Sequence, residues 1–329
     1  MKKFLYLGFI LVLFLVSILS GCGGGKKGDG PSGPTFSIAE VPVPAASFPT
    51  LMNDSGTATV DRPYYMAKTE VTYELWSTVY TWATDAARGA NQYYFQNAGV
   101  LGDGNDSDTA TDKYPVTTVN WRDAMVWCNA LTEYYNAQNG TSLVCVYMYD
   151  DPHKDPVVVR DSRDANATAC DNVFPSSTAK GFRLPTSDEW ELAARYIGKT
   201  APTIDPLASA VKSMGGLYWT PGNYASGATA DYNSAIATQA VAWYSANSDS
   251  STHPVGKKPF NGNALGIYDM SGNIVEWCFD WYPGYEGFRR VWRGGCFSLD
   301  ANFLQLGLPY LDYQWGASSG HGFRPVRTQ

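Results

Sequence analysis

The chain has 329 residues, with 24 Lys and Arg against 31 Asp and Glu for a formal net charge of -7, and is 44% hydrophobic, 14% aromatic and 17% charged. It is long enough to bury a sizeable core, and low charge with many aromatics excludes bulk disorder. An acidic balance without a basic stripe excludes nucleic acid as a partner, and three His with six scattered Cys leave little for a zinc centre.

Met1-Lys2-Lys3 is a short positive region ahead of an almost unbroken apolar run, Phe4 to Leu19. The run is short for a membrane span and is flanked like a signal peptide. Leu19-Ser20-Gly21-Cys22 resembles the lipobox of bacterial lipoproteins. The resemblance implies a leader over residues 1–21, lipidation of Cys22, and attachment to a membrane through acyl chains rather than a spanning helix. The expected location is the bacterial cell envelope, lipid-anchored, at the outer surface. Residues 22–41 read as a flexible tether, since Gly23 to Pro34 is rich in Gly, Lys and Pro without apolar period. Gly23-Gly24-Gly25-Lys26 lacks the preceding strand, the spaced second Gly and the following Ser or Thr of a phosphate loop.

Residues 42–329 have uniform texture and no internal repeat, and read as one domain. Three helices stand out. The first begins near Thr72 and carries Leu75, Trp76 and Val79. The second follows an Asn120 cap with Asp123 in its first turn, and places Trp121, Ala124, Met125, Cys128 and Leu131 on one face. The third opens at Pro185-Thr186, where Thr186 and Glu189 form a capping box and Trp190, Ala193 and Ala194 face inward. Residues 136–180 show no helical period and read as an insertion or long hairpin. The rest alternates short strand-like runs with turns, giving an irregular, loop-rich α+β fold with about three helices and small mixed sheets. Six cysteines less Cys22 leave an odd number. An exported setting permits a bridge, for which Cys145–Cys170 is the choice, while Cys128 and Cys278 read as buried thiols.

Several blocks occur in one order: Met66-Ala67-Lys68-Thr69-Glu70-Val71-Thr72; Tyr114-Pro115-Val116 with Val119-Asn120-Trp121; and Gly181-Phe182-Arg183-Leu184-Pro185-Thr186 with Glu189-Trp190-Glu191. Asn263 to Asn273 with Glu276-Trp277, Arg293-Gly294-Gly295 and Gly322-Phe323-Arg324 follow. Together they resemble the formylglycine-generating-enzyme (sulfatase-modifying factor) family. The resemblance implies a variant of the C-type lectin fold. It also implies a structural calcium held by side-chain oxygens of Asp269 and Glu276 and backbone carbonyls of Gly272 and Ile274. Oxygen donors on one turn suit a hard cation, and the same residues would serve equally to cap the turn. No cofactor is otherwise required. The family's oxidase chemistry needs two cysteines after the Arg-Gly-Gly block, as soft ligands for copper and substrate thiol. Those positions fall on Leu299 and Leu304, which can do neither job, so the chain is expected not to be an enzyme. The alternative is a metal-dependent oxidase or synthase of the same family using other residues.

Residues 293–324 have an unusual composition: aromatic and aliphatic side chains interleaved with small polar ones, the mixture of adaptable binding loops. Leu304 and Leu306 are assigned to the core. The remainder resembles the mutable C-terminal cassette of variable proteins from diversity-generating retroelements. That implies a ligand, protein or glycan, bound by Phe297, Ser298, Asp300, Asn302, Phe303, Leu308, Tyr310, Leu311, Asp312, Tyr313, Trp315 and His321. Tyr310, Tyr313 and Trp315 are the expected anchors, with Asp300 and Asp312 setting polarity.

Overall fold

The computed structural model of the chain describes residues 36–102, 113–149, 156–176 and 178–329; the leader, Cys22 and the tether as far as residue 35 lie outside them. The end of the expected tether already belongs to the domain. Phe36 sits edge-on to Tyr134 at 4.9 Å between ring centroids, and Glu40 opens a strand. Packing therefore begins before residue 42.

All three expected helices form with their caps. Helix α1 (Tyr73–Ala83) starts at Thr72, whose hydroxyl accepts the Leu75 N–H at 3.2 Å. Helix α2 (Trp121–Asn139) has a reciprocal capping box between Asn120 and Asp123 and ends on Gly140, at φ 64°. The helix thus continues through Asn136 to Asn139, and the left-handed glycine stops it. Beyond it lie a three-stranded sheet, Val157–Val158, Tyr147–Tyr149 and Phe174–Pro175 in spatial order, and a short helix α3 (Ala167–Asp171). Helix α4 (Ser187–Arg195) carries the Thr186/Glu189 box. With α5 (Leu207–Ala210) and α6 (Ala235–Val241), the described residues hold six α-helices instead of about three. One or two turns show no readable period.

Two four-stranded sheets frame the domain. In the first, Glu40–Val43, Tyr64–Ala67, Val326–Thr328 and Phe182–Arg183 lie antiparallel in that order, so the earliest and last strands share one sheet. In the second, the order is Tyr310–Tyr313, Arg289–Arg293, Val275–Trp281 and His321–Gly322, the last pair parallel. Helices α1 and α2 close one core, where Trp76 and Trp127 stack at 5.6 Å and Phe323 packs edge-on against both. A second core gathers Phe48, Met66, Trp190, Trp219, Val291 and Val326 between the sheets and α4. Each fully buried large side chain contributes roughly 1.5–3 kcal/mol.

The expected Cys145–Cys170 bridge does not form. Cys145 Sγ points to the Asn129 carbonyl at 3.6 Å and Cys170 Sγ to the Asp161 carbonyl at 3.2 Å, and burial pushes both thiols up to about 12. Each is a buried thiol with its own acceptor.

Candidate ligand-binding surface

Beneath the C-terminal segment lies a buried charged hub. The Arg324 guanidinium, fully buried, donates through Nε and Nη2 to the two Glu276 oxygens at 2.7 and 2.6 Å. Its remaining N–H groups reach the carbonyls of Ala67 and Tyr268. Trp190 Nε1 donates to Glu276 as well, at 2.8 Å. Glu70 accepts the Asn273 amide at 2.7 Å and the Ile274 N–H at 3.2 Å. Burial pushes the Glu70 carboxyl well above the usual range, and the neighbouring Asp269 and Glu276 add to it. Charge-assisted bonds of this kind are strong, and a bidentate guanidinium fixes geometry as well.

This arrangement gives the residues expected at a calcium partners within the protein. Both Glu276 oxygens are occupied by N–H donors from Arg324 and Trp190. The Asp269 oxygens accept the Gly256 and Lys258 N–H groups at 2.5 and 3.2 Å. Burial pushes Asp269 up to about 7. In this arrangement a guanidinium neutralises the glutamate and the aspartate takes two backbone N–H groups, the turn-capping role open to the same residues.

The hub holds the segment at both ends. Gly272 N–H donates to the Gly294 carbonyl, Phe297 N–H to the Asn273 carbonyl, and Val275 N–H to the Gly320 carbonyl, at 2.8–2.9 Å. Gly295 takes φ 70°, and a Cβ there would fall 2.7 Å from Leu304 Cδ2, so only glycine fits.

Between these ends the segment divides by burial. Leu304 and Leu306 are fully buried, as assigned. Ser298, Asp300, Asn302, Tyr313 and Trp315 are exposed, and Phe297, Phe303, Leu308, Tyr310, Leu311, Asp312 and His321 half-buried. Many of these touch. Tyr310 stacks between Trp292 at 4.5 Å and Phe303 at 5.2 Å, and its hydroxyl faces the Asn302 carbonyl. Tyr313 stacks on Trp315 at 4.6 Å, with the Arg289 guanidinium 3.3 Å from its centroid. His321 lies over Trp277 at 5.0 Å and takes the Ser318 hydroxyl on Nδ1. Its Nε2 is 3.4 Å from Asp312 Oδ2, a long contact that holds the Asp312 carboxyl below the usual range. Asp300 instead accepts the Ser245 hydroxyl at 2.8 Å.

Strand alternation splits the set: Tyr310 and Asp312 lie opposite Trp292 and Arg290, whereas Leu311 and Tyr313 lie opposite Val291 and Arg289. Tyr310 has a ring stacked on each face, Trp292 and Phe303, and burial pushes its hydroxyl up to about 12. The segment alone also leaves out Trp292 and Arg289, which complete the stacks from the neighbouring strand. The run Arg289-Arg290-Val291-Trp292-Arg293 has no apolar-polar alternation, so no local signal marked them; they come into view only once its pairing with Tyr310–Tyr313 is known.

Of the positions where the oxidase would carry cysteine, Leu304 is core and Leu299 is half-buried in the loop before it, its carbonyl accepting the Ser245 N–H. Cys296 is buried with Sγ 3.4 Å from the Ser298 hydroxyl.

With the hub, the irregular sheets and the Gly-Gly turn in view, the class is settled: residues 34–329 match the sulfatase-modifying factor enzyme 1-like domain, and the chain belongs to that family. Its fold is the C-type lectin-like fold of that family. Among individual proteins it is similar to Treponema denticola variable protein 1, with TM-score 0.63 and 27% identity, covering 91% of this chain and 100% of that one. The crystal structure of CarF superposes with TM-score 0.62 at 25% identity, over 89% of this chain and 99% of that one. In sequence the chain is 31% identical over 234 residues to the chaperone protein LppX of Paenibacillus barcinonensis, covering 70% of this chain and 75% of that protein.

Proposed function

We propose that this protein is a lipoprotein of the bacterial envelope, held at Cys22 and displayed at the outer surface, which binds a ligand through residues 297–321 and has no formylglycine-generating activity. One observation carries the reading. Every one of the twelve side chains assigned to the ligand keeps solvent exposure, while Leu304 and Leu306, from the same stretch, are fully buried. A surface supported by a stiff hub can change its chemistry without loss of fold. The similarity to a treponemal variable protein supports this use of the scaffold, and the leucines at the two cysteine positions argue against thiol oxidation.

The test joins display with sequence. Cys22→Ser should move the protein from the detergent phase to the soluble phase, and protease applied to intact cells should remove the wild-type domain. Sequencing the gene across a population should show changes clustered at residues 297–321 and absent from the hub. A protein protected in intact cells, invariant in this segment, and able to oxidise a cysteine peptide with copper would defeat the proposal.

A further inference from the structure

A cavity of about 440 Å³ lies outside the C-terminal segment, between the tip of the hairpin Ala46–Thr50/Gly56–Val60, the end of α5 and the loop ahead of α6. Its size falls within the range of small-molecule sites. Its walls are fixed from behind. A Cβ on Gly222 would fall 2.0 Å from the Leu51 carbonyl oxygen, and one on Gly307 2.3 Å from the Leu51 carbonyl carbon, so glycines let the hairpin tip seat. Asp54 Oδ1 accepts the Gly222 N–H at 2.9 Å and a guanidinium N–H of buried Arg195. The loop closes through Tyr224 N–H to the Pro221 carbonyl and Tyr232 N–H to the Asn223 carbonyl, both 3.1 Å. Leu306 N–H donates to the Tyr224 carbonyl at 3.0 Å and ties the loop to the frame.

Tyr224 carries the clearest sign of a ligand. The residue is only 6% exposed, yet its hydroxyl bonds to none of the described residues and stays accessible in the cavity wall. A buried ring with an unpaired, wet hydroxyl is placed for its polar tip. Asp231 faces Tyr224 across an isolated antiparallel bridge, and burial together with that carboxylate raises the Tyr224 hydroxyl above its usual value. Other lining groups have hydrogen-bonding positions left over among the described residues. Asn53 spends Oδ1 on the Ser55 N–H and hydroxyl and keeps its amide donors. Asp231 gives Oδ1 to the Asn233 N–H and keeps Oδ2. Ser209 donates to the Pro206 carbonyl and keeps its lone pairs.

Charge narrows the occupant. Lys212 Nζ lies 3.6 Å from Asp54 Oδ2, so the one lining ammonium is already matched and an anion has no cation to meet. Among the described residues no three His, Cys, Asp or Glu side chains gather as a metal ion would need. A sugar hydroxyl both donates and accepts, which suits this mixture of phenol, amide and carboxylate. Met52, 42% exposed, and Pro221 offer aliphatic surface to the C–H face of a ring. From these observations we infer a second binding site, for one neutral sugar unit, with Tyr224, Asn223 and Asp231 as its polar contacts. It is separate from the surface over residues 297–321.

The test titrates the exported domain with the methyl glycosides of glucose, galactose, mannose and N-acetylglucosamine, read by ligand-observed NMR. At least one should bind with millimolar or better affinity. Tyr224→Phe, which removes only the hydroxyl, should weaken it about five-fold or more, and Asn223→Ala likewise. Trp315→Ala should leave the affinity unchanged, and equal melting temperatures would show that each variant folds. No binding up to about 50 mM of any glycoside would overturn the inference. So would binding that Tyr224→Phe and Asn223→Ala leave intact, or a preference for glucuronic acid or free glycine over the neutral sugars. Sugar binding lost on Trp315→Ala but not on Tyr224→Phe would overturn it too, and would assign the sugar to the C-terminal surface.

Discussion

The hub around Glu276 and Arg324 and the surface over residues 297–321 use similar chemistry for opposite ends. Both join carboxylates to guanidiniums beside aromatic rings. In the hub the groups are buried and each Glu276 oxygen is matched by donors. On the surface the Arg289–Asp312 pair is 3.7 Å apart and part-exposed, so solvent screens it. The difference teaches that burial, more than residue type, decides whether a charged pair specifies the fold or decorates it.

The largest expected effect comes from breaking the hub. Arg324→Met leaves Glu276 without a countercharge in the core, and should cost about 3–5 kcal/mol in urea unfolding or prevent folding. Leu304→Ala opens a cavity under the segment and should cost about 2–5 kcal/mol. Trp315→Ala removes one stacked ring from the surface and should change stability by less than about 1 kcal/mol. A loss comparable with that of Leu304→Ala would place Trp315 in the frame.

The smallest effect concerns pH. The His321 contact lowers the Asp312 carboxyl, so its contribution to stability is present above the unfolded value of about 3.9 and lost as pH falls through the lower folded value. Melting temperatures followed downward through that range should show a slightly steeper loss for the wild type than for Asp312→Asn. Equal slopes would mean that the contact contributes nothing.

Much of the frame was legible because its signals are local. Thr72, the Asn120/Asp123 box and the Thr186/Glu189 box each state a helix start within four residues. The division of Leu304 and Leu306 from their exposed neighbours was legible from composition. What was not legible depended on distant partners. Nothing near Glu276 announces that Arg324, 48 residues beyond it, donates to its carboxylate. Cross-strand register brings Trp292 beside Tyr310 and Arg289 beside Tyr313.

The most direct measurement is saturation substitution of residues 293–324 in a cell-displayed copy of the domain, sorted for folded protein. Ser298, Asp300, Asn302, Tyr313 and Trp315 should accept nearly every residue, while Gly295, Leu304, Leu306, Phe323 and Arg324 accept almost none. If the exposed positions prove as restrictive as Leu304, the segment is part of the frame and the account of a changeable surface on a fixed scaffold is wrong.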